Sequence, residues 1–255
     1  MTDTRHAEAL DTLLRELNRV AQHHADRAAN PELANALSSL SRWQARRLRN
    51  TYADLEQAPR YAMAMRFFEE DLYGGADFAR RDADLVKVVP AMKRLLPTNV
   101  IDTVALAVTL NGLSQDLDRS VVDALGPSAQ SFGVADYCAA YRRAGHFDDR
   151  LRQIRLIGDV GVSLDRFVRK RMLRSALLMM RKPAQVAGLT ALQDFLERGF
   201  EAFARMRGAA EFLATIQSRE TVIHEAIVGG SAAPFPDPEH TPPRDAASIR
   251  PMLSA

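Results

Sequence analysis

Apolar residues recur every three or four positions along nearly this whole chain, and almost nowhere do they alternate. Leu10, Leu13, Leu14, Leu17 and Val20 form one such stripe; Leu33, Leu37, Leu40 and Trp43 form a second. A period near 3.6 buries one face of a helix, whereas a half-buried strand needs a period of two. The pattern therefore restricts the fold to helix packed on helix. It predicts an all-α, irregular or orthogonal bundle of about eight helices, followed by a disordered C-terminal tail.

Local signals place the breaks. The first helix covers 4–27. Asn30-Pro31 is an N-cap followed by proline at the first helical position, opening a second helix that runs towards 57. Ala58-Pro59 ends it. Helices follow at 60–73 and 77–96, the latter with Pro90 placed to kink or divide it. Pro97-Thr98 opens another to 125, then come a turn (126–133) and a short helix (134–144). The longest tract, 147–182, ends at Lys182-Pro183, and two further helices cover 184–206 and 208–228. After Gly229-Gly230 the chain becomes rich in proline and poor in large apolar residues, which predicts a disordered tail over 229–255. Residues 1–228 read as one domain, with a helical hairpin (4–57) docked on the remainder as the alternative.

Composition adds exclusions. The chain is 47% apolar and 26% charged with a formal net charge of +2, so global charge calls for neither nucleic acid nor membrane. A single cysteine, Cys138, forms no internal disulfide and fits a reducing cytoplasm. The opening residues mix acids and bases, with no apolar core of signal-peptide length. "TVALAVTLNGL" (103–113) falls well short of the ~20 residues a membrane span needs. The expectation is a soluble cytoplasmic protein.

The densest local pattern is "RFFEEDLYGGADFARRDADL" (66–85). Arg66 and Glu70 stand i,i+4 and are able to pair. Gly74-Gly75 suits a left-handed helix end, and Asp77 an N-cap. Arg80, Arg81, Asp82 and Asp84 are placed to pair among themselves or with Glu69, Glu70 and Asp71. Metal binding by these carboxylates is opposed by the interspersed guanidinium groups, which compete for the same oxygens. The stretch reads as a helix–helix corner braced by ion pairs.

Extended to "RFFEEDLYGGADFARRDADLVKVVPAMKRLLP", the stretch resembles the signature of an uncharacterised family of helical proteobacterial proteins, a domain of unknown function. That signature is a phenylalanine pair, then Leu-Tyr-Gly, Asp-Phe, Arg-Asp and a proline-containing helix ending in Leu-Pro. "LIGDVGVSLDRFV" and "GLTALQDFLERGFEAFARM" are similar to the family too. The resemblance spans about 60 to 220, implies an all-α fold and implies no activity, cofactor or site residue.

Several chemistries fail on spacing. A di-iron bundle needs Glu-x-x-His pairs, and no glutamate has histidine three residues on. His224-Glu225 lacks the second histidine of a zinc-protease motif, whose position holds Val228. One cysteine excludes cysteine-rich zinc sites, and no phosphate-loop or dinucleotide glycine pattern occurs. Cys138 reads as a buried structural thiol, and His23-His24 as partners of the first helix's terminal carbonyls. "GPSAQSFGV" lacks the histidine a conventional haem globin would carry, which leaves a haem-free globin-like domain as a variant. No catalytic residue, metal or cofactor is assigned.

What remains is charge distribution. Residues 151–182 hold nine Lys or Arg against two Asp, and "RWQARRLR" (42–49) adds four Arg and no acid. On a continuous helix Arg166, Lys170 and Arg174 share a face, flanked by Arg169 and Arg171. Gly158 and Gly161 would admit a close neighbouring helix or mark a kink. The Met-rich "ALLMMRKP" (176–183) suits an adaptable surface. The leading reading is a non-catalytic binding or regulatory module that engages an acidic protein partner through this basic surface, with Tyr73, Arg80 and Arg81 at the corner. Nucleic acid or anionic lipid fits less well, because no aromatics interleave the basic face. The alternative is a small-ligand binder or enzyme with a pocket between helices, built on Arg80, Arg81, Tyr73 and His146.

Overall fold

The computed structural model describes residues 2–73 and 78–239. Among them every regular element is helical. Helix α1 spans Thr2–Ala29 and α2 Pro31–Thr51; Asn30 caps α2 by accepting the Leu33 N–H (3.1 Å), with Pro31 in the first turn. Helices α3 (Ala53–Gln57) and α4 (Ala62–Phe67) lead into a π-turn over Phe68–Tyr73. Then come α5 (Phe78–Leu95), α6 (Thr98–Leu125) and α7 (Val134–Ala144). Five helices follow among the described residues: α8 (Phe147–Val168), α9 (Arg171–Met179), α10 (Arg181–Val186), α11 (Thr190–Met206) and α12 (Ala210–Val228).

The helices outnumber the eight expected because the chain turns where no local breaker stands. The second predicted helix stops at Tyr52, whose fully buried ring sets the bend. The long 147–182 tract breaks at Arg169–Lys170 and again at Met180. A continuous helix there would stack Arg166, Lys170 and Arg174 at i,i+4, where like charges repel; the break separates them. Pro183 lies inside α10 and ends nothing, and Gly188, with φ +70°, terminates that helix instead. Pro90 neither ends nor divides α5; it sits on the exposed side, where water can serve the carbonyl it leaves unbonded.

Helix α6 is the centre. It buries Ile101, Ala105, Val108, Leu113, Leu117, Val121 and Leu125 on several sides, as a helix apolar around most of its circumference must. The α1 stripe (Leu10, Leu13, Leu17, Val20) packs on Ile101, Ala105 and Val108 together with Val89 and Met92 of α5. Leu14 of the predicted stripe is exposed. Helix α2 serves two other clusters. Its first half, Leu33 to Trp43, joins α7 and the end of α12. Its second half, Leu48 and Tyr52, joins Phe203 and Met206 of α11 and Phe212 and Ile216 of α12. The two helices of the predicted N-terminal hairpin thus enter different clusters.

At the changeover stands a buried ion pair. Arg47 of α2 donates to both oxygens of Glu220 on α12 (2.8 and 3.1 Å), and the Tyr52 hydroxyl donates to the same carboxylate (2.7 Å). Burial alone would lower the Arg47 pKa, but the Glu220 charge and hydrogen bonds raise it, so the guanidinium stays ionised. Burial and the Glu220 charge push the Tyr52 phenol up, keeping it a donor.

Residues 231–239, assigned by composition to the tail, are not helical but pack on the body: Phe235 is buried against Trp43 and Tyr137. Proline-rich composition hid one anchoring ring. The remainder of the predicted tail, 240–255, lies outside the described residues.

Gly161 of α8 meets Leu213 of α12; a Cβ there would fall 2.9 Å from Leu213 Cδ1 and closer to Cδ2, whereas at Gly158 the nearest atom is 3.7 Å away. The two glycines therefore differ in sign. Gly161→Ala lowers stability by about 1–3 kcal/mol through overpacking. Gly158→Ala raises it by roughly 0.5–1 kcal/mol through helix propensity. Urea midpoints of the two variants check this. Glu220→Leu strands a buried arginine and costs about 3–5 kcal/mol, most of which returns in Arg47→Met/Glu220→Leu. A double-mutant cycle in urea measures that recovery.

Candidate functional site

The basic tract forms the outer end of α8 and all of α9. Arg166 is exposed near the end of α8, Arg169 and Lys170 occupy the break, and Arg171 and Arg174 start α9. Arg166, Lys170 and Arg174 therefore do not share one helix face as the sequence spacing predicts. Asp165 organises the break: one oxygen accepts from Arg169 (2.6 Å) and the other from the Ala209 N–H (3.2 Å). Arg174 lies 3.8 Å from Glu201, and Lys170 Nζ sits over the Phe167 ring (5.7 Å). Arg166 and Arg171 are exposed and make no ion pair among the described residues.

Helix α9 leans on the body through Leu173 and Leu177, yet it buries no residue. Its outer face carries Met172, Ala176 and Met179 at helical spacing; Met172 is 84% and Met179 73% exposed. Beside the break lies a cleft of about 220 Å³ between Val168 and Phe203, rimmed by Arg169 and Arg207. Arg207 turns α11 into α12 with φ +53°, a left-handed conformation that a residue with a Cβ adopts rarely. Arg60 holds that turn, donating to the carbonyls of Met206 (2.7 Å) and Gly208 (3.0 Å).

The 66–85 corner is structural in its described part: Arg81 and Asp82 pair within it as the sequence predicts, whereas Glu69 and Asp71 take their partners from outside the stretch. Glu69 accepts from Arg49 of α2 (3.1 Å), and Asp71 binds Arg198 of α11 through three hydrogen bonds (2.5, 2.9 and 3.1 Å). Asp82 is buried and accepts from His24 of α1 (2.9 Å), Asn111 of α6 (3.2 Å) and Arg81 (2.9 Å). Burial would raise the Asp82 carboxyl; the His24 hydrogen bond and the Arg81 charge outweigh it and hold it below the usual carboxylate range. The Arg81 guanidinium is sandwiched between the Phe78 (4.9 Å) and Phe195 (4.7 Å) rings. It is therefore spent on packing. Arg80 is exposed. Arg66 donates to its own helix at Ala62 (3.4 Å) because the π-turn displaces Glu70 from the position one α-turn below it. The Tyr73 side chain, Gly74, Gly75 and Asp77 lie outside the described residues.

Other candidates resolve as follows. Helix α1 continues past His23 and His24 to Ala29, so they do not cap it; His23 Nε2 instead lies 2.8 Å from Asp116. His146 opens α8 in a left-handed conformation, half exposed and 3.5 Å from Asp149. His224 is buried with Nδ1 2.7 Å from the Tyr141 hydroxyl, and burial and the Arg150 charge lower its pKa, favouring the neutral ring. Cys138 is fully buried and its thiol is pushed up to about 11 by burial, so it is a poor nucleophile. Among the described residues no group of three or more His, Cys, Asp or Glu is placed to hold a metal ion. No described helix is long and apolar enough to cross a membrane.

Sequence reasoning missed the Arg47–Glu220 and His24–Asp82 contacts, whose partners lie 173 and 58 positions apart. No local spacing announces such pairs. Arg207 was missed too, although its place immediately before Gly208 at a helix junction was a usable signal.

No curated protein and no solved structure matches the chain. A family model does match, over residues 22–234, and its span reaches from the second half of α1 to a few residues beyond α12. The chain therefore belongs to the family described as a domain of unknown function, DUF8198.

Proposed function

We propose that the protein is a non-catalytic binding module of the cytoplasm, an irregular helical bundle that docks an acidic, amphipathic helical segment of another protein on the α8–α9 end. One observation carries the reading: α9 has no fully buried residue, presents Met172 and Met179 to solvent, and is bordered by Arg166 and Arg171, exposed and without a carboxylate partner among the described residues. Exposed methionines adapt to the shape of a docking helix. The surrounding cations select glutamate or aspartate on its polar flank and speed its approach. The cleft between Val168 and Phe203 is too small for an ordinary small-molecule site, which occupies roughly 300–1,000 Å³, but it has room for one inserted side chain. Arg80, Arg81 and His146 line neither this cleft nor the shallow one along α12, so no observation favours the interior-pocket alternative.

The test uses two synthetic amphipathic helices of identical apolar face, one with glutamate and one with lysine on the polar side. Fluorescence anisotropy is expected to show saturable binding of the glutamate peptide alone, weakening as salt rises. Arg166→Glu/Arg171→Glu weakens it about tenfold, and Met172→Ser/Met179→Ser weakens it comparably. Equal binding of both peptides, or full affinity in the charge-reversed variant, contradicts the proposal.

A further inference from the structure

The second arginine run, Arg42 to Arg49, takes no part in the surface described above. On α2 it borders an aromatic groove that the chain fills with itself. Trp43 forms the floor, with Phe132 (ring centroids 5.3 Å) and Tyr137 (4.6 Å) beside it. Across them lies the non-helical strap 231–239, "SAAPFPDPE", which leaves α12 at Gly229-Gly230. Phe235 sets its ring edge-on to Trp43 (5.9 Å) and Tyr137 (6.2 Å), and the Arg47 guanidinium lies over it (5.5 Å). Pro238 is buried. Asn50 donates to the Asp237 carbonyl (2.9 Å), and Arg46 donates to Glu239 (2.5 Å). A proline-rich segment with an aromatic anchor and flanking carboxylates thus lies in an aromatic groove rimmed by arginines. Proline-rich ligands suit such grooves because their extended form loses little entropy on docking.

Two observations bear on whether this strap is the groove's sole occupant. The fit is incomplete: Trp43 Nε1, Arg46 Nε and Arg47 Nε are buried and have no acceptor among the described residues. Buried donors left unmatched are costly, and a groove shaped for this strap alone would supply acceptors. The family match also ends at residue 234. The groove walls therefore lie inside the family domain, while Phe235, Asp237 and Glu239 lie beyond it.

We infer that the groove formed by Trp43, Phe132 and Tyr137 is a docking site for a Pro-Phe-Pro segment with flanking carboxylates on a protein partner, and that residues 234–239 hold it in cis as an exchangeable stand-in. The partner's carboxylate meets Arg46 and its aromatic ring lies under the Arg47 guanidinium, as Glu239 and Phe235 do in cis, and its extra backbone carbonyls are available to the unmatched donors. This surface is separate from the α8–α9 end and does not depend on the function proposed there.

Trp43 is the single tryptophan of the chain, so its emission reports the groove directly. The experiment uses the full chain and a synthetic peptide of residues 231–239. Phe235→Ala is expected to shift Trp43 emission to the red, and the peptide to shift it back saturably. The wild-type protein, whose tethered strap competes at about millimolar effective concentration, binds the same peptide at least about tenfold more weakly. A peptide with alanine for phenylalanine does not bind. Glu239→Lys, which keeps the anchoring ring in place, gives an intermediate gain in peptide affinity and guards against a misfolded Phe235→Ala variant. Unchanged Trp43 emission in a folded Phe235→Ala protein overturns the inference, as does equal peptide affinity in the wild type and both variants. A concentration-dependent wild-type dimer abolished by Phe235→Ala, with no peptide binding, assigns the groove to a second copy and overturns it as well.

Discussion

The bidentate pair between Arg47 and Glu220, with Tyr52 donating to the same carboxylate, is the contact on which the arrangement of the other helices turns. It lies where α2 and α12 pass from one apolar cluster to the next. A slip of one helix along the other would move apolar residues out of both clusters and leave two charges buried without partners. Apolar contacts are tolerant of small slides; a forked guanidinium meeting a carboxylate is not. Its energetic role is correspondingly narrow. Desolvating both ions consumes most of the attraction between them, so the pair selects a register more than it adds stability.

That register positions the surfaces. Glu220 holds the Arg47 fork while the same guanidinium lies over Phe235, so the lock and the strap groove share one side chain. Further along α12, Phe212 and Ile216 join Phe203 and Met206 of α11, and the turn between these helices is tied through Asp165 to the start of the α8–α9 break. Helix α9 is the exception in this framework: it touches α11 on one side and buries none of its own side chains. A helix of nine residues with so little packing exposes two methionines, and the proposed docking rests on that surface.

Much of the fold was legible because its causes are local. The Asn30 cap, the α1 stripe and the narrow crossing at Gly161 each follow from residue type and spacing. The breaks at Tyr52 and Lys170 were not legible, since neither carries proline or glycine; the Tyr52 ring is fully buried at the first, and the second separates the cations of Arg166, Lys170 and Arg174. The basic tract was plain in the sequence as a run of cations, but the geometry of its face was not, because i,i+4 reasoning presumes an unbroken helix. The corner acids were recognised as ion-pair partners and Arg81–Asp82 is one such pair, yet their other partners come from α1, α2 and α11, which nothing in twenty consecutive residues could disclose. Phe235 was lost in the average composition of its segment, where proline content outweighed one buried ring.

The central claim is that recognition takes place on the outer α8–α9 end of a body whose interior stays locked. Amide chemical-shift mapping of the full chain during titration with the glutamate-faced helix tests it most directly. The account predicts shifts concentrated in residues 165–182 and around Arg207, with the amides of Arg47 and Glu220 unmoved. Shifts centred on His24, Arg81 and Asp82, or spread evenly through the core clusters, would contradict it and place binding in the interior.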